Sequence, residues 1–313
     1  MVRLILTLTI NPAIDRTFIT DRLVFEDRTY ILESSESAGG RGINASRVIH
    51  SFGGPTLALA TAGGAAGERF REHLRGAGFP FELVPIASEI RTNLAITDLQ
   101  GLTVKLNEVG PQLRAEEVEQ VEAAVQRHLP GAEWLMLCGS IPPGVPPDFY
   151  ARLISAARAQ GVKTLLDTDG EALRQGIKAR PSVVTPNQQE AERLLNLPIL
   201  TRAGAVAAAA KICEMGAELV VLSLGSRGAV TTSRAATLEV IPPPVEAVCP
   251  IGAGDALAAA FVWAMVNHYS EPDALRWAVA AGTASARLPG IRFASLADTR
   301  EIFERVEVRP ASA

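Results

Sequence analysis

From Leu4 to Ser223 the chain alternates short apolar runs with longer stretches whose apolar residues recur at three and four spacing, and few architectures accept that alternation. Short continuous apolar runs are buried strands and the stretches between them are helices, so the pattern predicts an α/β fold with a mostly parallel central sheet wrapped by helices. The strands fall at Leu4–Ile10, Thr56–Ala60, Trp134–Cys138, Thr164–Asp167, Ser182–Val184 and Leu219–Ser223. The helices fall at Asn44–Ser51, Glu68–Arg75, Ala115–His128, Pro147–Ala159, Asn187–Leu195 and Arg202–Glu214. Two segments, about 13–33 and 91–106, break the alternation. In the second, Ile96, Leu99 and Leu102-Thr103-Val104 flank Gln100-Gly101 as in a hairpin. These segments are predicted to form a small β-sheet lid outside the main sheet. No Gly/Ser linker, composition step or internal repeat divides the chain, which predicts one domain over residues 1–313.

With 48% apolar and 20% charged residues in 313, the chain can bury a large core. A net charge of −4 gives no electrostatic footing for nucleic acid or an anionic membrane. Its longest apolar runs, such as Ala256–Val266, fall short of the roughly 18 residues of a membrane span. Met1–Ile10 lacks a small-residue cleavage pattern and reads as the first strand of a cytoplasmic protein. Cys138, Cys213 and Cys249 are odd in number and widely spaced, so reduced thiols are expected. The four histidines have no ligand spacing, which argues against a His-held metal.

Chemistry concentrates in glycine clusters. Pro250-Ile251-Gly252-Ala253-Gly254-Asp255 runs into the Ala-rich stretch from Ala256. Small residues at a helix start expose backbone N–H groups, and the helix dipole favours an anion there. A carboxylate beside such a site makes chemical sense as a base that takes a proton from an attacking hydroxyl; its structural alternative is a helix N-cap. Gly39-Gly40-Arg41-Gly42-Ile43-Asn44 forms a second cluster, where a sugar or phosphate can lie on bare backbone beside the Asn44 amide; a capped loop is the alternative. A dinucleotide site competes at Ala62-Gly63-Gly64-Ala65-Ala66-Gly67, which lacks the first required glycine. None of the four lysines follows a glycine, so a Walker P-loop is excluded. Asn187 and Glu190 stand at capping-box spacing; Glu190 can also help place a Mg²⁺ bridging nucleotide phosphates. Arg91, followed by Thr92-Asn93, offers a fork for a second phosphate. Ser223, Gly225 and Gly228 form a turn at a strand end that can cradle a nucleotide phosphate.

In one order along Val2–Gly290, these pieces resemble the ribokinase-like (PfkB) carbohydrate kinases, and within them the 1-phosphofructokinase and tagatose-6-phosphate kinase branch. The likeness is carried by Thr9-Ile10-Asn11-Pro12-Ala13-Ile14-Asp15, Gly39–Asn44, Arg91-Thr92-Asn93, Leu106-Asn107-Glu108 with Gly110-Pro111, and Gly139-Ser140-Ile141-Pro142-Pro143-Gly144. Asp167-Thr168-Asp169-Gly170, Pro186–Glu190 and Gly252–Asp255 complete it. The resemblance implies a ribokinase-like three-layer sandwich, and transfer of the γ-phosphate of ATP, with Mg²⁺, to a sugar hydroxyl. It makes Asp255 the general base and assigns stabilisation of the moving phosphoryl group to the amides of Gly252, Ala253 and Gly254. Asp15, Gly39, Gly40, Asn44 and Ser140 would bind the sugar, and Arg91 and Arg28 its phosphate. Asn187, Ser223, Gly225 and Gly228 would serve the nucleotide and Glu190 the Mg²⁺, and a homodimer through the lid is implied.

Two positions depart from that pattern: Arg41 stands where the family has Lys, and Thr185 where the branch has Lys before Pro-Asn. Pro250-Ile251 is more like the tagatose-6-phosphate kinases, whereas Asp167–Gly170 is closer to the 1-phosphofructokinases. The expected acceptor is a ketohexose monophosphate, fructose 1-phosphate first, with tagatose 6-phosphate and fructose 6-phosphate as alternatives. A sensor of the same fold that binds sugar or nucleotide without turnover is the reading from another class, motivated by Thr185 alone.

Overall fold

A computed structural model of the protein describes residues 4–24 and 26–311. Residue 25 of the first expected lid segment and the termini of the expected 1–313 domain lie outside the described residues.

Along the chain run β1 (Leu4–Thr9), β2 (Ala13–Thr20), β3 (Ile31–Gly39), α1 (Arg41–Ser51), β4 (Thr56–Ala62), α2 (Gly64–Ala77), β5 (Phe81–Pro85), β6 (Arg91–Asp98) and β7 (Thr103–Asn107). Then come α3 (Ala115–His128), β8 (Ala132–Cys138), α4 (Phe149–Ala159), β9 (Lys163–Asp167), α5 (Gly170–Lys178), β10 (Val183–Val184), α6 (Gln188–Leu195) and α7 (Arg202–Glu214). The last third holds β11 (Leu219–Ser223), β12 (Ala229–Ser233), β13 (Thr237–Ile241), α8 (Ala253–Val266), α9 (Glu271–Ala286), α10 (Leu296–Phe303) and β14 (Glu307–Pro310).

Ten strands form the main sheet in the order β14-β13-β12-β11-β10-β9-β8-β1-β4-β5. Pairing is parallel from β5 through β11. It turns antiparallel across β12, β13 and β14. Along the central strands successive residues alternate between two cores, as period-two geometry requires. Leu6, Leu8, Leu135, Leu137, Leu166, Val220 and Leu222 pack with the apolar residues of α2 to α7. Ile5, Trp134, Met136, Leu165, Leu219 and Val221 pack with α1, α8, α9 and α10 on the opposite face. The result is the three-layer arrangement the sequence predicts. The antiparallel edge, β5, α5, α9 and α10 were not anticipated.

The small sheet has four strands in the order β3-β2-β6-β7. It extends further than expected, to Gly39 and Asn107. In its register Asp15 lies between Ser37 and Asn93, and Asn93 pairs with Asn107; Thr17 and Ala95 follow, and Ala95 pairs with Lys105. Alternation therefore puts Asp15, Thr17, Asn93, Lys105 and Asn107 on one face. Ile14, Phe18, Leu94, Ile96, Val104 and Leu106 share the other. Ile14 is buried against the main body, whereas Leu32 and Leu106 at the outer part of that face are 53% exposed.

Candidate active site

Chain order in a parallel sheet reverses where crossovers leave in opposite directions, and the crevice at the carboxyl ends of those strands is where ligands bind. Here β1 lies between β4 and β8, so the crevice opens between the ends of β1 and β8. Asn11 leaves β1 there, and its Nδ2 donates to Ser140 Oγ beyond β8 at 3.1 Å and to the Val109 carbonyl at 3.0 Å.

α1 starts at Gly40, whose φ of +124° favours glycine, and Gly42 fits because a Cβ there would press on Thr9 Oγ1 and the Leu8 carbonyl. That close approach lets Thr9 Oγ1 accept from the Ile43 N–H at 3.1 Å and fixes the helix against β1. Asn44, one turn in, reaches across to α8: its Nδ2 donates to Asp255 Oδ2 at 2.7 Å. α8 itself begins after Gly252, with φ +81°, where any Cβ would lie 2.9 Å from the Phe293 ring. Asp255 therefore sits in the first turn of α8. Its carboxyl is pushed up to about 7, first by burial and then by the Asp167 charge, while Arg41 and the Asn44 bond pull the other way. A carboxylate with that balance can hold or release a proton near neutral pH, as a general base must. It is not an N-cap: that position is Gly252.

Asp15, from β2, accepts from Asn93 Nδ2 at 2.9 Å. Burial raises its pKa, and the Asn93 bond, Arg91 and Arg47 oppose the rise. Gly39 is bare because a Cβ would fall inside the Asp15 carboxylate. Between the small sheet and the start of α8 lies a cavity of about 180 Å³ lined by Asp15, Thr17, Asn93, Lys105, Asn107, Ile251 and Ile291. Of nine buried side-chain polar atoms without a partner among the described residues, four, Asn11 Oδ1, Asn93 Oδ1, Arg91 Nε and Thr185 Oγ1, belong to residues along this crevice. Orphans gathered in one place mark where a polar ligand completes the hydrogen bonding.

Arg91 is placed as expected but is already engaged: its terminal nitrogens donate to the carbonyls of Glu108 at 2.9 Å and Asn11 at 3.1 Å. Arg28 is not brought to the crevice within this chain. It is exposed in the connection that leaves β2 at Thr20, five residues from Asp15 and so about 17 Å along the strand. Lys105 and Arg47 were missed. Lys105 carries no local sequence signal, and only the β6–β7 register turns it toward the cavity.

At the far end of the crevice Asn187 and Glu190 form a reciprocal capping box, with both bonds at 2.9 Å. The other Glu190 oxygen accepts from Arg41 Nη2 at 3.0 Å, and Asp167 Oδ1 accepts from Arg41 Nη1 at 2.9 Å. Burial raises the Glu190 pKa and Arg41 opposes it. The β11 turn carrying Gly225 (φ +62°) and Gly228 (φ +85°) docks here through the Asn187–Ser223 bridge and the Arg227–Gln188 bond of 2.6 Å. Ser223, Gly225 and Gly228 thus join Asn187 and Glu190 as expected. The competing dinucleotide site fails: at the start of α2 the Ala66 N–H is taken by Glu89 Oε1 at 2.7 Å, which leaves a carboxylate where a pyrophosphate would sit. Among the described residues no three His, Cys, Asp or Glu side chains converge as a metal cage, and no helix is long and apolar enough to cross a membrane.

The chain is similar to known proteins along nearly its whole length. The chain is 34% identical over 306 residues to ATP-dependent 6-phosphofructokinase isozyme 2 of Escherichia coli (strain K12), covering 97% of this chain and 98% of that protein. The isozyme 2 enzyme of Mycobacterium tuberculosis is 33% identical over 302 residues, 96% of this chain and 89% of that one. The crystal structure of the Escherichia coli phosphofructokinase-2 in complex with fructose 6-phosphate superposes with a TM-score of 0.89 at 33% identity, over 97% of this chain and 99% of that one. Residues 8–298 match the model of the pfkB family of carbohydrate kinases, and the chain belongs to that family.

Proposed function

We propose that the protein transfers the γ-phosphate of ATP to a hydroxyl of a ketohexose monophosphate. One observation carries the reading: Asp255, in the first turn of α8, is held by Asn44 at 2.7 Å, and the residue that leads into that turn, Ile251, lines a cavity of about 180 Å³ together with Asp15 and Asn93 of the small sheet. The sugar lies with its hydroxyls on Asp15, Asn44, Asn93 and the bare backbone of Gly39 and Gly40. As the acceptor oxygen attacks the γ-phosphorus, Asp255 takes its proton, the bond to the ADP oxygen breaks, and the N–H groups of Gly252 and Gly254 meet the growing charge, whereas that of Ala253, expected to join them, already donates to the Pro250 carbonyl at 3.2 Å. Asn187, Ser223, Gly225 and Gly228 take the nucleotide.

Magnesium fits the donor set: Asp169 would offer a hard carboxylate oxygen beside the nucleotide end and Glu190 would act through water, and Mg²⁺ is commonly held by one or two carboxylates plus substrate phosphates rather than by a protein cage. When bound it would neutralise phosphate charge. The small sheet is the lid, and its outer face, with Leu106 exposed and Phe18, Leu94, Ile96 and Val104 half-buried, is suited to cover a second copy of the chain.

Fructose 6-phosphate stands first among acceptors, because relatives of 33–34% identity along nearly the whole chain are 6-phosphofructokinases. Fructose 1-phosphate, first in the sequence reading, is supported by the likeness of Asp167–Gly170 to the 1-phosphofructokinases. Release of ADP by purified protein with Mg-ATP against fructose 6-phosphate, fructose 1-phosphate, tagatose 6-phosphate and free fructose ranks them by kcat/KM. No turnover on any of them, with sugar phosphate still bound, would replace the kinase reading by the sensor.

A further inference from the structure

Four carboxylates, of Asp167, Asp169, Glu190 and Asp255, border the corner where β9, α6 and α8 meet, and a polyphosphate approaching it meets like charge. The ion pairs of this group, among the described residues, all run to Arg41: 2.9 Å to Asp167, 3.0 Å to Glu190 and 3.6 Å to Asp169. Arg41 is the first residue of α1, launched from the backbone that Gly40 and Gly42 lock against β1. A guanidinium has five N–H donors in a rigid fork, so these contacts leave donors uncommitted, and the side chain is 30% exposed. Asp167 and Glu190, by contrast, are 8% and 7% exposed, so they hold the fork rather than face the ligand themselves.

Position 185 adjoins the same corner. The Thr185 N–H donates to the Leu166 carbonyl at 3.2 Å, next to Asp167, and its hydroxyl is buried without a partner. It brings no charge.

We propose that Arg41 is the nucleotide-phosphate cation of this site, aimed by Asp167 and Glu190 and supplying the positive charge that position 185 does not. This rests on the ATP-kinase reading. The charge arrives from the start of α1, on the same helix as Asn44, so one helix orients both the base and the phosphates. Asp167 and Glu190 are positioning residues in this scheme, and Arg41 is the group that touches the nucleotide.

The test is calorimetric binding of ADP and of fructose 6-phosphate, separately, to wild-type protein and to Arg41→Gln, Arg41→Lys, and Arg41→Gln combined with Thr185→Lys. Losing a charge-assisted contact weakens ADP binding by about tenfold or more in Arg41→Gln. Sugar-phosphate binding changes much less than ADP binding, because the hydrogen bonds of Arg41 run to Asp167 and Glu190 and none runs to Asp15, Asn44 or Asn93. Arg41→Lys loses less, and adding Thr185→Lys to Arg41→Gln regains most of the ADP affinity, because the new ammonium grows from the strand end beside Asp167. A strut that only ties α1 to α6 would weaken both ligands alike, with no recovery from Thr185→Lys; that result overturns the proposal, as does unchanged ADP binding in Arg41→Gln. Wild-type protein that binds no nucleotide would bring down the ATP-kinase reading and this one with it, whereas a competent wild type with an indifferent Arg41→Gln brings down this one alone.

Discussion

Replacing Asn44 by Ala removes the donor that stabilises the ionised form of Asp255. The bond is 2.7 Å long and ends on a carboxylate that burial and the Asp167 charge have pushed up to about 7. A hydrogen bond to a charged group contributes about 1.5–3 kcal/mol, and one pKa unit corresponds to about 1.4 kcal/mol, so the loss lifts Asp255 by about one to two units. The base works only when ionised, so the acid limb of kcat against pH moves upward by that amount. At pH 7 about half of the wild-type base is ionised, against about a tenth to a hundredth in the variant, a drop of about 5- to 50-fold that recovers as pH climbs past the new midpoint. The assay is ADP release with saturating Mg-ATP and sugar phosphate between about pH 5.5 and 9.5, read as the whole profile. An equal loss at every pH, with the limb in its wild-type place, would show that Asn44 holds the sugar and does nothing for the base.

Three other outcomes are expected. Asp255→Asn lowers kcat by at least about 10²-fold. It also raises Tm at pH 8: the folded state holds the Asp255 proton more tightly than the unfolded chain, so ionisation erodes wild-type stability as pH rises from about 4 to about 7, and the variant escapes that cost. Scanning calorimetry should show the Tm advantage closing toward pH 4, and a constant gap would contradict the shift. Gly39→Ala displaces the Asp15 carboxylate that its Cβ would overlap, so the sugar KM climbs by about tenfold or more while the ATP KM is unmoved. Lys105→Ala raises the KM for a phosphorylated ketohexose more than for free fructose, whereas Arg91→Ala also loosens the Asn11 and Glu108 segments it ties and so affects both sugars; equal KM changes in Lys105→Ala would remove that lysine from the phosphate end.

The central strands were legible because a strand buried on both faces is apolar along most of its length, and β1, β8 and β11 are. The antiparallel edge was not: β12 is Ala-Val-Thr-Thr-Ser and β13 carries Glu239, a mixture that reads as loop until hydrogen-bonded neighbours exist. α9 hid for the opposite reason, since its run of alanines is buried on most sides and leaves little apolar stripe to detect. In the site, the glycines and Asp255 stood out because their local backbone demands are written in consecutive residues. Arg41 looked like a replacement of one cation by another. Its fork depends on partners 126 and 149 residues away, which no local pattern can display.

The same separations have a consequence for how the protein is made. Asn44 and Asp255 are 211 residues apart in sequence, so the base acquires its orienting partner only after α8 has docked beside α1. Long-range closure of that kind is slow, and chains emerge N-terminus first. A ribosome-bound chain that ends before α8 can already pair β1 with β4 and fold the small sheet, and it has no chemistry. Recovery of catalysis during refolding therefore reports arrival of the last third of the polypeptide, and it should lag behind any spectroscopic signal from the parallel strands.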